Sequence, residues 1–367
     1  MSMDLSMERI PSRTGVLRSA KQTHPESVER LVGDYLYGTD SAPESQEERS
    51  PLLEVLEVQL EKGLAGGDTA ALLDVHRSAY AIYETLLGHP FGAGARHERS
   101  SWFNAFRRIF EDRVLNADIE TIADRLPSAA DAARPEFVRD WMLAAAHERS
   151  ALDSAVETYL AERATADELA RFIEANGYLN YRFYDVLALS QTHFMETVKN
   201  QISHHLWEEC GEGNPLMSHT VLFTRSLRKL RLELPAVPPW EDWRPYAGYN
   251  VHFVLAFNRR HYFKVLGGLA MPELFGSGRD AAVVAGLQRC GFALHQDFEF
   301  FFNHMEADAE HGPEWLDGVV LPVVAAEPEA GHELIVGGAI RMLAMRRYNE
   351  YLALRLGVTE GAVTDHE

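Results

Sequence analysis

Apolar residues along most of the chain recur at the three- and four-residue spacing that is typical of helices with one buried face. The spacing predicts a helix over 51–64, ended by Gly66 and Gly67, and a second helix over 69–88. Further helices are predicted over 100–113, 115–126, 134–163 and 166–176. The alternation that marks strands is scarce, so the pattern predicts an all-α protein.

The predicted helices lengthen in the second half of the chain. They are expected over 179–210, 215–232, 245–275, 281–310 and 330–356. The stretch 316–324 alternates weakly and is expected to be a loop or a short extended piece. Residues 1–48 are polar with scattered prolines, so we expect a flexible N-terminal arm containing a short helix at 27–37.

Charge and composition narrow the class of protein. The chain has 367 residues, of which 46% are hydrophobic, and its formal net charge is -20. A surface this acidic repels phosphate groups, so neither nucleic acid nor a membrane is expected as a partner. Two cysteines, Cys210 and Cys290, exclude a disulfide scaffold. Because the sequence shows no signal peptide and no apolar span of about 18 residues, we expect a cytoplasmic protein.

The strongest chemical signal is the stretch FEFFFNHMEADAEH. Its His304, Asp308 and His311 stand at positions i, i+4 and i+7, which places them on one stripe of a helix. Imidazole and carboxylate together suit iron, manganese or zinc. A polar helix face that merely contains histidines is the alternative. The four phenylalanines just before the triplet favour a buried site, in which polar groups need partners.

A second signal spans a predicted helix break. Glu209 stands before Gly211 and Gly213, and His219 falls in the first turn of the next helix, so both side chains are able to face one point. Glu212 and His205 are rival candidates in the same stretch. An ordinary helix end with acidic residues in solvent explains this stretch equally well when it is taken alone.

A third signal is a glutamate that follows an apolar run. Glu273 lies near the end of the helix predicted over 245–275, and Tyr262 lies close to the same helical face as a candidate hydrogen-bond donor to a metal ligand. A water-exposed glutamate at a helix end is the alternative. The three stretches together supply carboxylates and imidazoles of the kind and number that two iron ions require: Glu209, His219, Glu273, His304, Asp308 and His311.

This pattern resembles the haem-oxygenase-like di-iron oxidases over residues 178–355. The family's first segment, an acidic pair followed by x-G-x-G and then histidine, is similar to 208–213 and His219. The middle glutamate matches Glu273, and the closing H-x-x-x-D-x-x-H matches 304–311. The ten-residue step from a glutamate to His219 resembles the N-oxygenating branch, whereas the seven-residue step of other relatives would select Glu212.

The resemblance implies a haem-oxygenase-like seven-helix bundle over 166–367, two Fe(II) ions, O₂ as co-substrate and no haem. It implies N-oxygenation of a small-molecule amine in a biosynthetic pathway, with an external electron donor as a further partner. Oxidative C–C cleavage, decarboxylation or desaturation of an amino or fatty acid by the same site is the alternative. Residues 49–165 would form an accessory helical region, and the branch's dimerisation through such a region implies a homodimer.

Two other protein classes are alternatives. A ferritin-like di-iron protein needs two Glu-x-x-His motifs, and the sequence contains only one, from Glu329 to His332 at a helix start. A non-metal helical protein of the same fold would need no clustered histidines. Four arginines were candidates for binding a substrate carboxylate, without a reason to prefer one: Arg182, Arg259, Arg260 and Arg341.

Overall fold

The computed structural model describes residues 27–38, 50–148, 150–192, 195–275 and 278–358, without the side chains of 50, 295–296 and 305–310. Most of the predicted N-terminal arm lies outside these residues. The described part of the chain forms helices and no strands, so the prediction of an all-α protein is confirmed. No helix in that part is long and apolar enough to span a bilayer.

Eighteen α-helices occur within the described ranges, and short 3₁₀ turns and one π-helical segment at Leu316–Val320 accompany them. In chain order they are α1 (Val28–Tyr37), α2 (Ser50–Leu64), α3 (Thr69–Leu87), α4 (Ser101–Ile122), α5 (Ala129–Ala132), α6 (Pro135–His147), α7 (Ala151–Glu162), α8 (Ala166–Asn180), α9 (Phe183–Ser190), α10 (Glu196–Glu209), α11 (His219–Lys229), α12 (Trp243–Ala256), α13 (Tyr262–Phe275), α14 (Gly278–Arg289), α15 (Leu294–Asp297), α16 (Glu299–Trp315), α17 (Leu321–Ala326) and α18 (Ala330–Leu356).

These helices group into two compact units. The first contains the described residues up to Ala117 together with Pro235–Tyr246, and the second contains Asp118–Leu234 and the chain from Ala247 onward. Every described residue of the predicted metal site lies in the second unit. The predicted domain boundary between 165 and 166 stays a prediction, because it follows family resemblance rather than compactness.

In the first unit, α1 is held by its N-terminus. The Ser27 hydroxyl accepts from the Arg30 backbone amide at 3.4 Å, which caps the helix. Asp74 of α3 accepts from the backbone amides of Val28 and Glu29 at 2.8 and 2.9 Å. A carboxylate at this position satisfies amides that lack partners within the helix and also complements the helix dipole.

In the second unit, α13 and α18 pack with their backbones in close approach. A Cβ atom on Gly337 of α18 would lie 1.9 Å from the Lys264 carbonyl oxygen, and one on Gly267 of α13 would lie 1.9 Å from the Leu334 carbonyl oxygen. Only glycine fits at either position, because real Cβ contacts are never this short. The contact fixes the distance between two helices that both contribute to the candidate site.

Several predicted helices are divided in the structure. The segments predicted as single helices over 134–163, 179–210, 245–275 and 281–310 form, respectively, α6 and α7, α8 to α10, α12 and α13, and α14 to α16. One of these breaks has a clear long-range cause. Carbonyl groups at the end of α9 and just beyond it bind distant donors. The Tyr262 hydroxyl donates to the carbonyl of Ser190, the last residue of α9, at 2.8 Å, and Arg259 donates to the carbonyl of Thr192, two residues further on.

The stretch 316–324 is helical, so the prediction of a loop or extended piece there is wrong. Leu316–Val320 is π-helical and continues directly into α17. Its weak alternation is explained by burial, because Leu316, Val319, Val320, Val323 and Val324 are all buried. A helix enclosed on several sides loses the polar face on which a helical pattern depends.

Candidate metal centre

A tight turn brings the end of α10 to the start of α11. Glu209 is the last residue of α10, and His219 is the first residue of α11. Between them Gly211 adopts a φ of 82°, and a Cβ there would lie 2.4 Å from the Asn214 carbonyl oxygen. The turn therefore requires glycine, and it sets the glutamate and the histidine side by side.

The first cluster of candidate ligands consists of Glu209, His219 and His304. A Glu209 Oε2 atom lies 2.7 Å from Nδ1 of His219, and Nε2 of His304 lies 3.2 Å from the same Nδ1. One ligand atom from each residue lies within 4.8 Å of the others. Three helices, α10, α11 and α16, therefore converge two imidazoles and one carboxylate on one point.

A further carboxylate and a ring orient His304. Asp280, near the start of α14, places Oδ2 3.3 Å from Nδ1 of His304. The Phe300 ring lies on the same imidazole, with 4.1 Å between ring centroids. A carboxylate on one ring nitrogen fixes which nitrogen carries the proton and leaves the other nitrogen to face a metal. For His304 that other nitrogen is Nε2, which lies 3.2 Å from Nδ1 of His219 in the first cluster.

The second cluster consists of His205, Glu208 and His311. Its ligand atoms also lie within 4.8 Å of one another. Nε2 of His311 lies 3.2 Å from Oε2 of Glu208, and its Nδ1 lies 3.4 Å from Oε2 of Glu273 on α13. The rings of His205 and His311 meet edge to face, with 4.6 Å between their centroids.

The atoms that the two clusters offer are suitable metal ligands. Nε2 of His205 is buried and has no hydrogen-bond partner within the described structure, and the buried Oε2 of Glu208 has only the contact with His311 at 3.2 Å. The nearest carboxylate to that His205 nitrogen, Glu314, is 3.9 Å away, beyond hydrogen-bond distance. A buried polar atom without a partner is costly, and a cation at this place would satisfy the His205 nitrogen and also bind the Glu208 carboxylate. Nitrogen and carboxylate oxygen are also the donors that iron accepts.

Residues 170–347 match the family of iron-containing redox enzymes. The match supports an oxidoreductase that uses iron. All residues of both clusters, together with Glu273 and Asp280, fall inside the matched segment. A search among curated proteins gave no match.

The fold is similar to that of a CADD-like protein of unknown function from Nostoc punctiforme, known from a crystal structure. The superposition has a TM-score of 0.50 at 16% sequence identity and covers 60% of this chain and 97% of the other. At this level of identity the similarity concerns the fold alone.

Contacts between charged groups shift the pKa values of the candidate ligands. Burial alone would raise the pKa of Glu209, but the imidazoles of His219, His304 and His311 outweigh it and lower that pKa. Burial alone would lower the pKa of His311, but the surrounding carboxylates, Glu273 foremost, raise it to about 9. At neutral pH a metal would therefore displace a proton from His311.

The pKa of His205 is shifted in the opposite direction from that of His311. Burial, followed by the charges of His311 and His204, lowers its pKa to about 4. Its imidazole is neutral at physiological pH and its lone pair is available to a metal. The second cluster thus offers one neutral imidazole and one that exchanges a proton for the metal.

The candidate ligands form part of the wall of a cavity of about 470 Å³. We use the term acid–imidazole wall for the ligands that line it: Glu209, His219, Glu273, His304 and His311. Aromatic rings stand beside this wall, including Phe223 and Phe300, with 5.0 Å between their centroids. A cavity of this volume is of the size that encloses a small molecule.

The other predicted residues lie as follows. Asp308 belongs to α16, and its side chain is outside the described features. Glu212 is exposed in the turn with a φ of 53°, so Glu209 rather than Glu212 meets His219. The Tyr262 hydroxyl donates to the carbonyl of Ser190 at 2.8 Å. Its assignment as a donor to a metal ligand is therefore corrected: this hydroxyl satisfies a carbonyl at the end of α9.

Three residues of the centre were not assigned from the sequence. His205 was only a rival candidate, and Glu208 and Asp280 were not proposed as site residues. The first two had a detectable signal, because His205, Glu208 and Glu209 stand at i, i+3 and i+4 and share one helical face. Asp280 had no local signal, because its partner His304 is 24 positions away on another helix.

Proposed function

We propose that the protein is an O₂-dependent oxidoreductase that binds two iron ions and oxygenates the nitrogen of a small-molecule amine. One observation carries the two-metal proposal: α10 and α16 both contribute residues to each of the two clusters, and α10 gives the second cluster His205 as well as Glu208. Glu209 and His304 serve the first cluster, and Glu208 and His311 serve the second. Adjacent glutamates on one helix and histidines two turns apart on another suit a pair of neighbouring ions.

The first ion would be held by Glu209, His219 and His304. The second would be held by His205, Glu208 and His311, with Glu273 beside His311 as a further ligand. Asp308 lies between the two histidines on α16 and stays a predicted ligand. Bound iron would supply the reductive activation of O₂.

The chain's own side chains would prepare the cavity for this chemistry. Asp280 would hold the proton on Nδ1 of His304, which directs the lone pair of Nε2 toward the first cluster. Phe223, Phe300 and Phe301 line the cavity, and all three are buried. Their rings exclude bulk water from the substrate and limit side reactions.

N-oxygenation is favoured by the resemblance to the branch with a ten-residue step. The contact between Glu209 and His219 supports this step over the seven-residue alternative that begins at Glu212. The proposed reaction converts a primary amine, O₂, two electrons and two protons into a hydroxylamine and water. The two electrons come from an external donor. A homodimer and a cytoplasmic location remain expectations.

The test is a titration of the full chain with Fe(II) under argon, followed by O₂, a reductant and a panel of primary amines. We expect two iron ions per chain and a product heavier by one oxygen atom, labelled when ¹⁸O₂ is used. Uptake of one ion or none contradicts the two-iron proposal. Release of CO₂ without oxygen incorporation contradicts N-oxygenation and indicates oxidative C–C cleavage.

A further inference from the structure

The same cavity contains an arginine without a counter-ion. Arg341 of α18 lines it, and the Arg341 Nε atom is buried with no acceptor within the described structure. Among the described residues, no carboxylate forms an ion pair with this side chain. Burial first, and then the positive charge of Arg279, lowers the pKa of Arg341 to about 10. The guanidinium nevertheless stays charged at neutral pH.

Arg279 of α14 is the second cation at this place. Its Nη2 donates to Oδ1 of Asn349 at 2.6 Å, while its Nε is also buried without an acceptor within the described structure. The nearby acid is already engaged, because Asp153 accepts from the amide nitrogen of Asn349. Two guanidinium groups therefore line the cavity with unused donors. We name Arg279 and Arg341 the arginine pair.

Such an arrangement is unfavourable for folding alone. Two like charges repel each other, and a buried charge without a partner destabilises the folded chain because it has lost its hydration without gaining a counter-charge. An anion in the cavity would remove both penalties at once. A carboxylate is the matching group, because guanidinium donors bind its two oxygens in a fork.

The arginine pair is adjacent to the iron site along the chain. Arg279 is followed directly by Asp280, which contacts His304 of the first cluster. A ligand bound by the arginines therefore occupies the same cavity as the acid–imidazole wall. Acidic side chains also line this cavity, namely Glu148, Asp153 and Glu157, and they disfavour a doubly charged phosphate.

We propose that Arg341 and Arg279 bind the carboxylate of the substrate, so that the substrate is an amine-bearing carboxylic acid. This proposal rests on the proposed function for the fate of the amine, and the arginine pair is its own evidence for the carboxylate. The arginine pair would hold one end of the molecule, and the rest would extend along the acid–imidazole wall.

The test is calorimetric titration of the full chain with 6-aminohexanoate, 6-aminohexanamide and inorganic phosphate, without O₂. We expect saturable binding of 6-aminohexanoate and at least about 10-fold weaker binding of the uncharged amide. Arg341→Gln and Arg279→Gln should each weaken binding of the carboxylate about 10-fold or more. Arg355→Gln removes the same charge from an exposed position on α18 and should leave binding unchanged.

Four results would overturn the proposal. They are no binding of 6-aminohexanoate by the unaltered chain, equal binding of its amide, tighter binding of phosphate, and unchanged affinity in Arg341→Gln. Circular dichroism of each variant checks folding, and Arg341→Lys, which keeps the charge, should bind better than Arg341→Gln if the charge is what matters.

Iron content measured on the same samples separates the two proposals. Two-iron uptake that persists when Arg341→Gln abolishes carboxylate binding supports the arginine pair as a distinct binding element. Carboxylate binding by a chain that takes up no iron supports the arginine pair and overturns the proposed function.

Discussion

The acid–imidazole wall and the arginine pair line one cavity, but their buried charges are compensated to different degrees. In the wall, opposite charges pair among themselves: Glu209 meets His219 at 2.7 Å, and His311 lies between two carboxylates. In the arginine pair, like charges lie together. The wall can therefore form before its metal arrives, whereas the arginine pair is costly until a ligand binds.

The largest effect is expected from removing a wall ligand. His304→Ala should lower iron uptake from two ions to one per chain and reduce turnover by about 100-fold or more, because the first cluster loses one of its two imidazoles. Iron content and oxygen consumption measure this. His332→Ala, which removes the histidine of the lone Glu-x-x-His motif, is the control, and a loss of iron there would revive the ferritin-like alternative.

A smaller effect is expected from neutralising one glutamate of the second cluster. Glu208→Gln should weaken binding of the second ion by about 10- to 100-fold, because it removes an anionic oxygen but keeps the shape. Competition with a chelator measures the affinity. Glu212→Gln is the matched control four positions along, and it should change nothing. The reverse ranking would restore Glu212 as the ligand.

Removing a charge from the arginine pair should stabilise the ligand-free protein, whereas removing a wall ligand should impair iron uptake and turnover. Arg341→Met should raise the free energy of unfolding of the ligand-free protein by about 1–3 kcal/mol, because a buried charge without a partner is replaced by an apolar chain of similar length. Urea denaturation measures this. Arg355→Met, at an exposed position, should stay within about 0.5 kcal/mol of the unaltered chain. A clear loss of stability in Arg341→Met would mean that Arg341 has a structural role.

The smallest effect is a pH dependence of the free energy of unfolding, which is caused by His252 next to Arg341. His252 borders a second, small cavity together with Arg341, and burial, then the Arg341 charge, lowers its pKa to about 3. In the unfolded chain His252 takes up a proton below its ordinary pKa of about 6.5, whereas in the folded chain it stays neutral down to about pH 3. The free energy of unfolding is therefore unaffected by His252 above about pH 6.5 and falls as the pH drops from there toward 3. At pH 5 the loss is about 2 kcal/mol.

His252→Leu should flatten the fall in stability between pH 7 and pH 5, measured by urea denaturation at each pH. Arg341→Met should flatten it partly, because it removes the second cause of the low pKa. If the free energy of unfolding falls equally between pH 7 and pH 5 in the unaltered chain and in both variants, His252 does not govern the acid sensitivity.

Local patterns were sufficient for much of the secondary structure and for part of the site. The spacing of His304 and His311 on one helix, and of Glu209 and His219 across a glycine-containing turn, predicted residues that the structure brings together. Both relations depend only on helical periodicity and on the conformation that glycine permits. The metal-ligand assignments themselves remain predictions.

Local patterns failed where distant donors decide the backbone. The predicted helix over 179–210 carries no proline or glycine to mark its breaks. Yet α9 ends where Tyr262 binds its last carbonyl group and Arg259 binds the carbonyl of Thr192 just beyond it. Those donors lie on a segment about 70 residues further along the chain. A helix end that is satisfied from so far away leaves no trace in its own neighbourhood.

The arginines show the same division. Arg182, Arg259 and Arg341 were equivalent in the sequence, but Arg182 pairs with Asp185 at 3.2 Å and Arg259 binds a backbone carbonyl. Of these three, only Arg341 has neither an ion-pair partner nor a hydrogen-bond acceptor among the described residues, and it lines the cavity. Nothing in the sequence around Arg279 singles it out, because its place beside Arg341 depends on the packing of α14 and α18.

The sequence by itself determined an all-α chain with a ligand-bearing helix and a carboxylate–imidazole pair at a turn, because those features depend on spacing along one or two helices. Only the tertiary structure decided that two clusters share α10 and α16, that Asp280 orients His304, and that the arginine pair joins the same cavity. These relations depend on helices far apart in the chain, and close packing such as that at Gly267 and Gly337 sets their distances.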